Sequence, residues 1–496
     1  MITLDGNSLT LSDFIKVTRK NEPVCMHESS ILKVKRSREI VENIIDSKEV
    51  VYGINTGFGK LSDVRISCDD VDQLQENLLK SHACGVGDLL SIESVRGMML
   101  LRVNALIKGY SGIRLETIEK LIEFLNHGIT PVVYEQGSLG ASGDLVPLAH
   151  MALPMIGLGE ILYQGKRWKA KEGLEQAKVK PLEALKAKEG LALINGTQAM
   201  TSIGAHALYD AYNVFNQSNL SAALTFEALE GIVDVFDETI HDIRNHDGQI
   251  TVATSMRHLL KGSKNVTHQG DKRVQDAYAL RCIPQVHGAT LETLNFIKAQ
   301  VEKEMNAVTD NPIIIDEGKA LSAGNFHGQV MALAFDYLGI AISEIANISE
   351  RRIERLVNPQ LNQDYPAFLV KDKGLNSGFM IIQYTAASLV SENKVLAHPA
   401  SVDSIPSSGN QEDHVSMGTI SARKALKIVN HARLVIGMEM LTAAQALNFR
   451  GANLLSPTLN KTYQTIRKFI PFIEKDTIMH PHIIMMETLL KEEKII

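Results

Sequence analysis

Residues 330–348 read VMALAFDYLGIAISEIANI. The run is apolar on every side of a helix and is long enough to tempt a membrane-spanning reading. Asp336 and Glu344 spoil that reading. A helix apolar all round in a soluble chain belongs at the centre of a bundle. Residues 377–397, SGFMIIQYTAASLVSENKVLA, have the same character, with Glu392 and Lys394 interrupting them, and 418–448 continue the pattern. Several such helices imply an elongated helical core of the kind that often forms by oligomerisation. Helical periods dominate from about residue 90. Ile118, Leu121, Ile122, Leu125 and Ile129 follow the i, i+3, i+4, i+7 spacing, with Gly128 where a terminating glycine belongs. The N-terminal part is mixed: Ile2 and Leu4 alternate with polar residues, and EVVYGINTGFG (49–59) reads as a short strand entering a glycine-rich loop. The expected fold is mainly α, an elongated central helical bundle with a smaller mixed α/β N-terminal part. The expected division is 1–110 and 111–496.

The chain has 496 residues, 45% hydrophobic and 22% charged, with a formal charge of −6. That balance argues against nucleic acid or an anionic membrane as the main partner. The N-terminus carries Asp5 and Asp13 and no uninterrupted apolar stretch, so no signal or transit peptide is expected. Cys25, Cys68, Cys84 and Cys282 are scattered without a CxxC pair, which fits a reducing compartment, the cytoplasm, and gives no metal signature. Sixteen histidines include no HExxH, and His480-Pro481-His482 reads as a solvated loop. Lys166, Arg167, Lys169 and Lys171 around Trp168 read as a solvated face.

The chemistry-bearing stretch is GSLGASGDLVPLAH, residues 137–150. A hydrolase elbow requires Gly-x-Ser-x-Gly, and Asp144 stands where its last glycine belongs. GINTGFGKL fails as a phosphate loop, with Ile54 in place of the first glycine and Leu61 after Lys60. The tripeptide Ala141-Ser142-Gly143 permits something else. The Gly143 nitrogen can attack the Ala141 carbonyl carbon and close a five-membered ring. Such closure requires a bent, resonance-weakened backbone. Glycine at 143 permits the close approach, Ala141 leaves the carbonyl uncrowded, and the Ser142 hydroxyl can depart as water. An isolated Ala-Ser-Gly is ordinarily a loop or tight turn.

The stretch resembles the signature of the histidine and aromatic amino acid ammonia-lyases. The resemblance runs from about residue 2 to residue 480, through VYGINTGFG (51–59), SHACGVG (81–87), EGLALINGTQAM (189–200), RVQDAYALRCIPQVHGA (273–289), DNPII (310–314), GNFHG (324–328) and SIPSSGNQEDHVSMGT (404–419). It implies an aspartase/fumarase-like helical fold and a homotetramer with shared active sites. It also implies that Ala141, Ser142 and Gly143 become a 4-methylidene-imidazole-5-one group (MIO), with no external cofactor and no metal.

The implied reaction is elimination of ammonia from L-histidine to trans-urocanate. The electrophilic group can accept either the substrate amine or its imidazole ring. Arg281 matches the family's carboxylate binder, as a guanidinium suits a bidentate grip; its alternative is a structural salt bridge. Tyr52 and Tyr278 match two tyrosines beside the electrophile. An ordinary phenol titrates near 10, so a base role requires a lowered pKa or a pre-organised hydrogen bond. Tyr278 would share a helical face with Gln275 and Arg281 if that segment is helical. Asn195 and Gln275 can hydrogen-bond the substrate or the new ring, and Phe326 would pack beside it; Asn195 can equally be a turn former. Asp144 either assists ring closure or caps the helix that follows it. His82 and Glu412 match the histidine-specific positions: an imidazole wants polar partners, and a carboxylate beside a phenyl ring has nothing to offset its desolvation. Glu412-Asp413-His414 otherwise reads as a surface charge cluster. The alternatives are a tyrosine or phenylalanine ammonia-lyase or aminomutase, and an inactive helical scaffold.

Overall fold

The computed structural model describes residues 1–47, 50–57, 59, 64, 66–67, 70–315, 318–362 and 365–495. Glu49, Phe58, Lys60, Leu61 and Cys68, which entered the sequence reading, lie outside these residues. Among the described residues the chain forms 18 α-helices and nine strands, none longer than four residues. The mainly α expectation holds. Two compact units are present, and neither is continuous in sequence. The first holds Met1–His206, Lys298–Asp336 and Pro399–Arg423; the second holds Ala207–Ile297, Tyr337–His398 and Lys424–Ile496. A single cut near residue 110 falls inside the first.

Local signals account for much of the first unit. Ile2–Leu4 pairs in parallel with Val24–Met26. The 118–129 periodicity becomes the helix Leu115–His127, which buries Ile118, Leu121 and Leu125. Gly128 ends that helix at φ +69°, its amide capping the Leu125 and Phe124 carbonyls. Trp168 and its basic neighbours form the strand Lys166–Lys169 against Glu160–Tyr163, with Arg167 paired to Glu160.

Two readings need correction. The segment at 51–56 is a turn, not a strand. Val51 accepts from the Ile54 and Asn55 amides, and the Asn55 side chain accepts from the Val51 amide, so local hydrogen bonds curl the chain. Ile54 is thereby driven into a core of Val41, Ile44, Val71 and Ile314. His480-Pro481-His482 opens the helix His480–Lys491, with proline in its first turn. The apolar helices differ in how much of their surface a single chain covers. Gly418–Arg450 is buried along most of its length. Gln329–Val357 is long and apolar enough to cross a membrane, and 67% of its most apolar window is buried. Its Val330, Leu333, Tyr337 and Ile340 are nevertheless exposed. Met380–Leu396 buries only Ile382, Ala386 and Asn393, leaving Ile381, Tyr384 and Val395 exposed. An all-round apolar pattern therefore does not mean all-round burial within one chain.

In the second unit a buried polar layer ties four helices together: Gln198–Ala228, Ile283–Met305, Gln329–Val357 and Gly418–Arg450. Arg352 and Glu439, both 0% exposed, form a two-pronged pair at 2.5 and 2.9 Å. Thr225 and Ser349 donate to the two Glu439 oxygens. His287 faces Arg352 at 3.5 Å and meets Asn219 at 2.7 Å through its other nitrogen. Burial, reinforced by Arg352, holds His287 well below its ordinary pKa and thus neutral. Removing one member strands the other charge. Glu439→Gln is expected to lower unfolding stability by about 3–5 kcal/mol, read from the denaturant midpoint; a change below about 1 kcal/mol would mean that water reaches Arg352.

Glu227, in the last turn of the first of these helices, is wholly buried. Its one hydrogen-bonded oxygen accepts from the Ser456 amide, and the other has no partner. Burial pushes its pKa up to about 7. The folded chain therefore holds a proton that the unfolded chain releases near the ordinary value of 4.5. Its stabilising effect is complete below that value and is lost as pH rises towards 7. Thermal melts between pH 5 and 8 should fall with rising pH in the native chain and fall less in Glu227→Gln.

Candidate active site

The loop 137–144 is held from several directions, all within the first unit. Ala141 packs with Val415 and Met417. The Leu139 carbonyl accepts from the Met417 amide at 3.0 Å. Asp144, 0% exposed, accepts at one oxygen from Ser138 at 2.8 Å and from Thr419, and at the other from the Met200 amide at 2.8 Å. Its side chain makes no cap bond to its own helix, Leu145–Ala152. It places its oxygen at the start of Gln198–Ala228 instead. Neither earlier reading of Asp144 anticipated that link. Burial raises the Asp144 pKa, opposed by its hydroxyl and amide donors.

Backbone contact is closest at Gly143. Ser142 has φ +52° and Gly143 φ +79°, two successive left-handed residues. The Asp144 amide donates to the Gly196 carbonyl at 2.7 Å. A Cβ on Gly143 would lie 2.2 Å from that carbonyl oxygen and 2.8 Å from the Gly196 nitrogen. Only glycine fits there. The bent backbone at 142–143 and the lack of a side chain at Gly143 suit the demands of ring closure.

Ser142 opens on a cavity of about 410 Å³ whose lining includes Tyr52, Asn311, Phe326, Gln411 and Glu412. The Ser142 hydroxyl donates to Glu412 at 2.5 Å. Ser407 holds the other Glu412 oxygen at 3.2 Å, and residues 407 and 412 pair through their backbones. Asp413 and His414 are exposed while Glu412 turns inward, so the three are not one surface cluster. His82 ends the helix Val71–His82. Burial lowers its pKa and the Glu412 charge opposes the shift, leaving a neutral imidazole at pH 7. Burial raises Tyr52, and Glu412 adds to that rise while the Gly59 amide opposes it. Tyr52 therefore keeps its proton in this arrangement.

The other candidates differ in position. Asn195 is the C-cap of Glu189–Ile194, consistent with a turn role, yet its side-chain oxygen is buried without a partner. Gln275, Tyr278 and Arg281 belong to the second unit. Only Tyr278–Arg281 is helical, so Gln275 does not share its face. The Arg281 guanidinium lies 4.5 Å from the centre of the Tyr278 ring. No ion pair to Arg281 occurs among the described residues, contrary to a structural salt bridge. Asn311 was missed as a lining residue although it lies in the DNPII block. Gly196 was missed too; its signal was its place directly after Asn195 in INGT.

Residues 9–468 match the family model for aromatic amino acid lyases. The chain belongs to that family. It is 54% identical to histidine ammonia-lyase 1 of Fusobacterium nucleatum, over 100% of this chain and 96% of the relative. Its backbone is similar to the crystal structure of histidine ammonia-lyase from Trypanosoma cruzi, with a TM-score of 0.92, 41% identity and coverage of 100% and 94%. It is also similar to tyrosine aminomutase from Streptomyces globisporus, with a TM-score of 0.96, 37% identity and coverage of 100% and 97%.

The Gly143–Gly196 contact yields a direct expectation. Gly143→Ala should destabilise the fold by about 1–3 kcal/mol or more, through overlap and an unfavourable φ, seen as a lower melting temperature. A melting temperature equal to that of the native chain would show that the two backbones can separate without cost.

Proposed function

We propose that this chain eliminates ammonia from L-histidine to give trans-urocanate. One observation carries the substrate choice: the Glu412 carboxylate stands at hydrogen-bond distance from Ser142 inside the cavity. An imidazole N–H offsets the desolvation of that carboxylate, whereas a phenyl ring does not. Neutral His82 adds a second polar group. Identity favours the same reading, 54% to a histidine ammonia-lyase against 37% to a tyrosine aminomutase. The TM-scores do not separate the two, since one backbone serves both.

The proposal extends to the site. Ala141, Ser142 and Gly143 form the 4-methylidene-imidazole-5-one (MIO) group, which supplies an electrophilic carbon without an external cofactor. Glu412 and His82 orient the imidazole, and Phe326 packs against the reacting region. Asn195 and Gln275 provide hydrogen-bonding amides. Tyr52 holds its proton in this arrangement, and acting as a base would require a partner that the described residues do not supply. Arg281 grips the substrate carboxylate, and Tyr278 stands beside it as the second phenol. A neighbouring subunit of a homotetramer brings Gln275, Tyr278 and Arg281 to the cavity. The exposed apolar positions Val330, Leu333, Tyr337 and Ile340 support such an assembly, because apolar surface of that kind seeks a partner. The charge of −6 and the unpaired Cys25, Cys84 and Cys282 support a cytoplasmic enzyme whose partner is a small molecule rather than nucleic acid or membrane.

Steady-state assays with L-histidine, L-tyrosine and L-phenylalanine test the substrate. Histidine should be turned over fastest, and faster turnover of tyrosine would end the proposal. Ser142→Ala should lose most activity and keep the native melting temperature, because it removes a leaving group and not a core side chain. Glu412→Gln should reduce turnover of histidine far more than it reduces stability.

A further inference from the structure

Arg102 lies in the helix Ile92–Leu106, in an otherwise largely apolar run, and is 0% exposed. One nitrogen, Nη1, donates to the Asn195 carbonyl at 2.7 Å and to Gln198 Oε1 at 3.0 Å. Nε and Nη2 are buried without partners. Asp310 opposes the burial of this cation electrostatically, but its carboxylate bonds directly to Lys188 at 2.8 Å, where both groups are 0% exposed. Burying a guanidinium with most of its donors unmet is costly. The substrate cavity does not explain it, for Arg102 does not line that cavity.

The Asn195 carbonyl is half of the peptide that leads into Gly196. A Cβ on Gly196 would lie 2.5 Å from Arg102 Nη1, 2.4 Å from Gln198 Oε1 and 2.7 Å from Thr309 Oγ1. Gln198 is itself held by Thr309 at 2.8 Å. One side of Gly196 is thus packed against a fixed polar wall. Its own carbonyl holds the Asp144 amide and abuts Gly143. A continuous series of contacts runs from Arg102 through the 195–196 peptide to the nitrogen that would close the ring.

We infer that Arg102 is a positioning residue for ring closure: it clamps the Asn195–Gly196 peptide and makes Gly196 a rigid stop behind Gly143. The inference rests on the proposal that Ala141-Ser142-Gly143 cyclises. In that step the Gly143 nitrogen bonds to the Ala141 carbonyl carbon. The Ala141 oxygen leaves as water with the amide protons of Gly143 and Ser142. The Ser142 Cβ–Oγ bond then breaks, and the hydroxyl leaves with the Ser142 Cα proton as a second water. No oxidant or reductant is consumed. Holding the nitrogen against the carbonyl supplies the proximity that a free loop lacks.

The test follows intact mass over time in the full-length native chain, Arg102→Met and Arg102→Lys, with circular dichroism to verify folding. The native chain should show the two-water deficit. Folded Arg102→Met should acquire it about tenfold more slowly or worse, and Arg102→Lys should recover part of the rate through one remaining donor. Native-rate maturation of Arg102→Met overturns the inference and leaves the cyclisation reading intact. A native chain with no deficit removes the cyclisation reading itself. If Arg102→Met does not fold, Arg102→Gln takes its place, and maturation there at the native rate overturns the inference.

Discussion

The site depends on two backbones meeting where neither residue has a side chain. Gly143 and Gly196 approach so closely that a methyl group on either would overlap the other strand or the wall behind it. That contact keeps the Ala141-Ser142-Gly143 segment bent, with consecutive left-handed residues at 142 and 143. A bend of this kind is strained for serine, so it persists only because its surroundings hold it. Asp144 supplies much of that hold through one carboxylate bonded to Ser138, Thr419 and the start of a distant helix.

Charge turned away from solvent recurs, in three forms. Arg352 and Glu439 satisfy each other on both prongs and gather hydroxyls around them. That arrangement holds helices in register without exposing any charge. Arg102 is less well satisfied, and its one bonded nitrogen is aimed at main chain. Close pairing is what a structural ion pair needs. A guanidinium directed at the Asn195 carbonyl, with its other nitrogens unpartnered, is not paired in that way. Glu412 is a third case, a carboxylate turned into a cavity and shared between two serine hydroxyls. A substrate N–H can replace the Ser142 hydroxyl there without leaving the charge unpaired.

Much of the architecture was legible where the signal was local. Periodicity located Leu115–His127 and Gly128 its end, and the apolar run at 418–448 became a buried helix. Reading failed where local hydrogen bonding or chain partition decided. Asn55 curled a segment with strand-like composition into a turn. Met380–Leu396 carries an apolar pattern that a single chain leaves largely exposed. Periodicity reports which residues prefer to leave water; it does not report which surface will cover them.

The sequence by itself determined the residue types on offer: an Ala-Ser-Gly tripeptide, a carboxylate and an imidazole, and helices enough to form a mainly α fold. These are properties of residue types and short spacings. Only the tertiary structure decided that Ser142 faces Glu412, 270 residues away. It likewise brought Gly143 onto Gly196, bonded Asp144 to the start of a different helix, and placed a buried cation behind the Asn195 carbonyl. Those outcomes depend on long-range packing in which several elements must close on one point at once. No spacing along the chain encodes them, because each partner's position is set by the packing of the others.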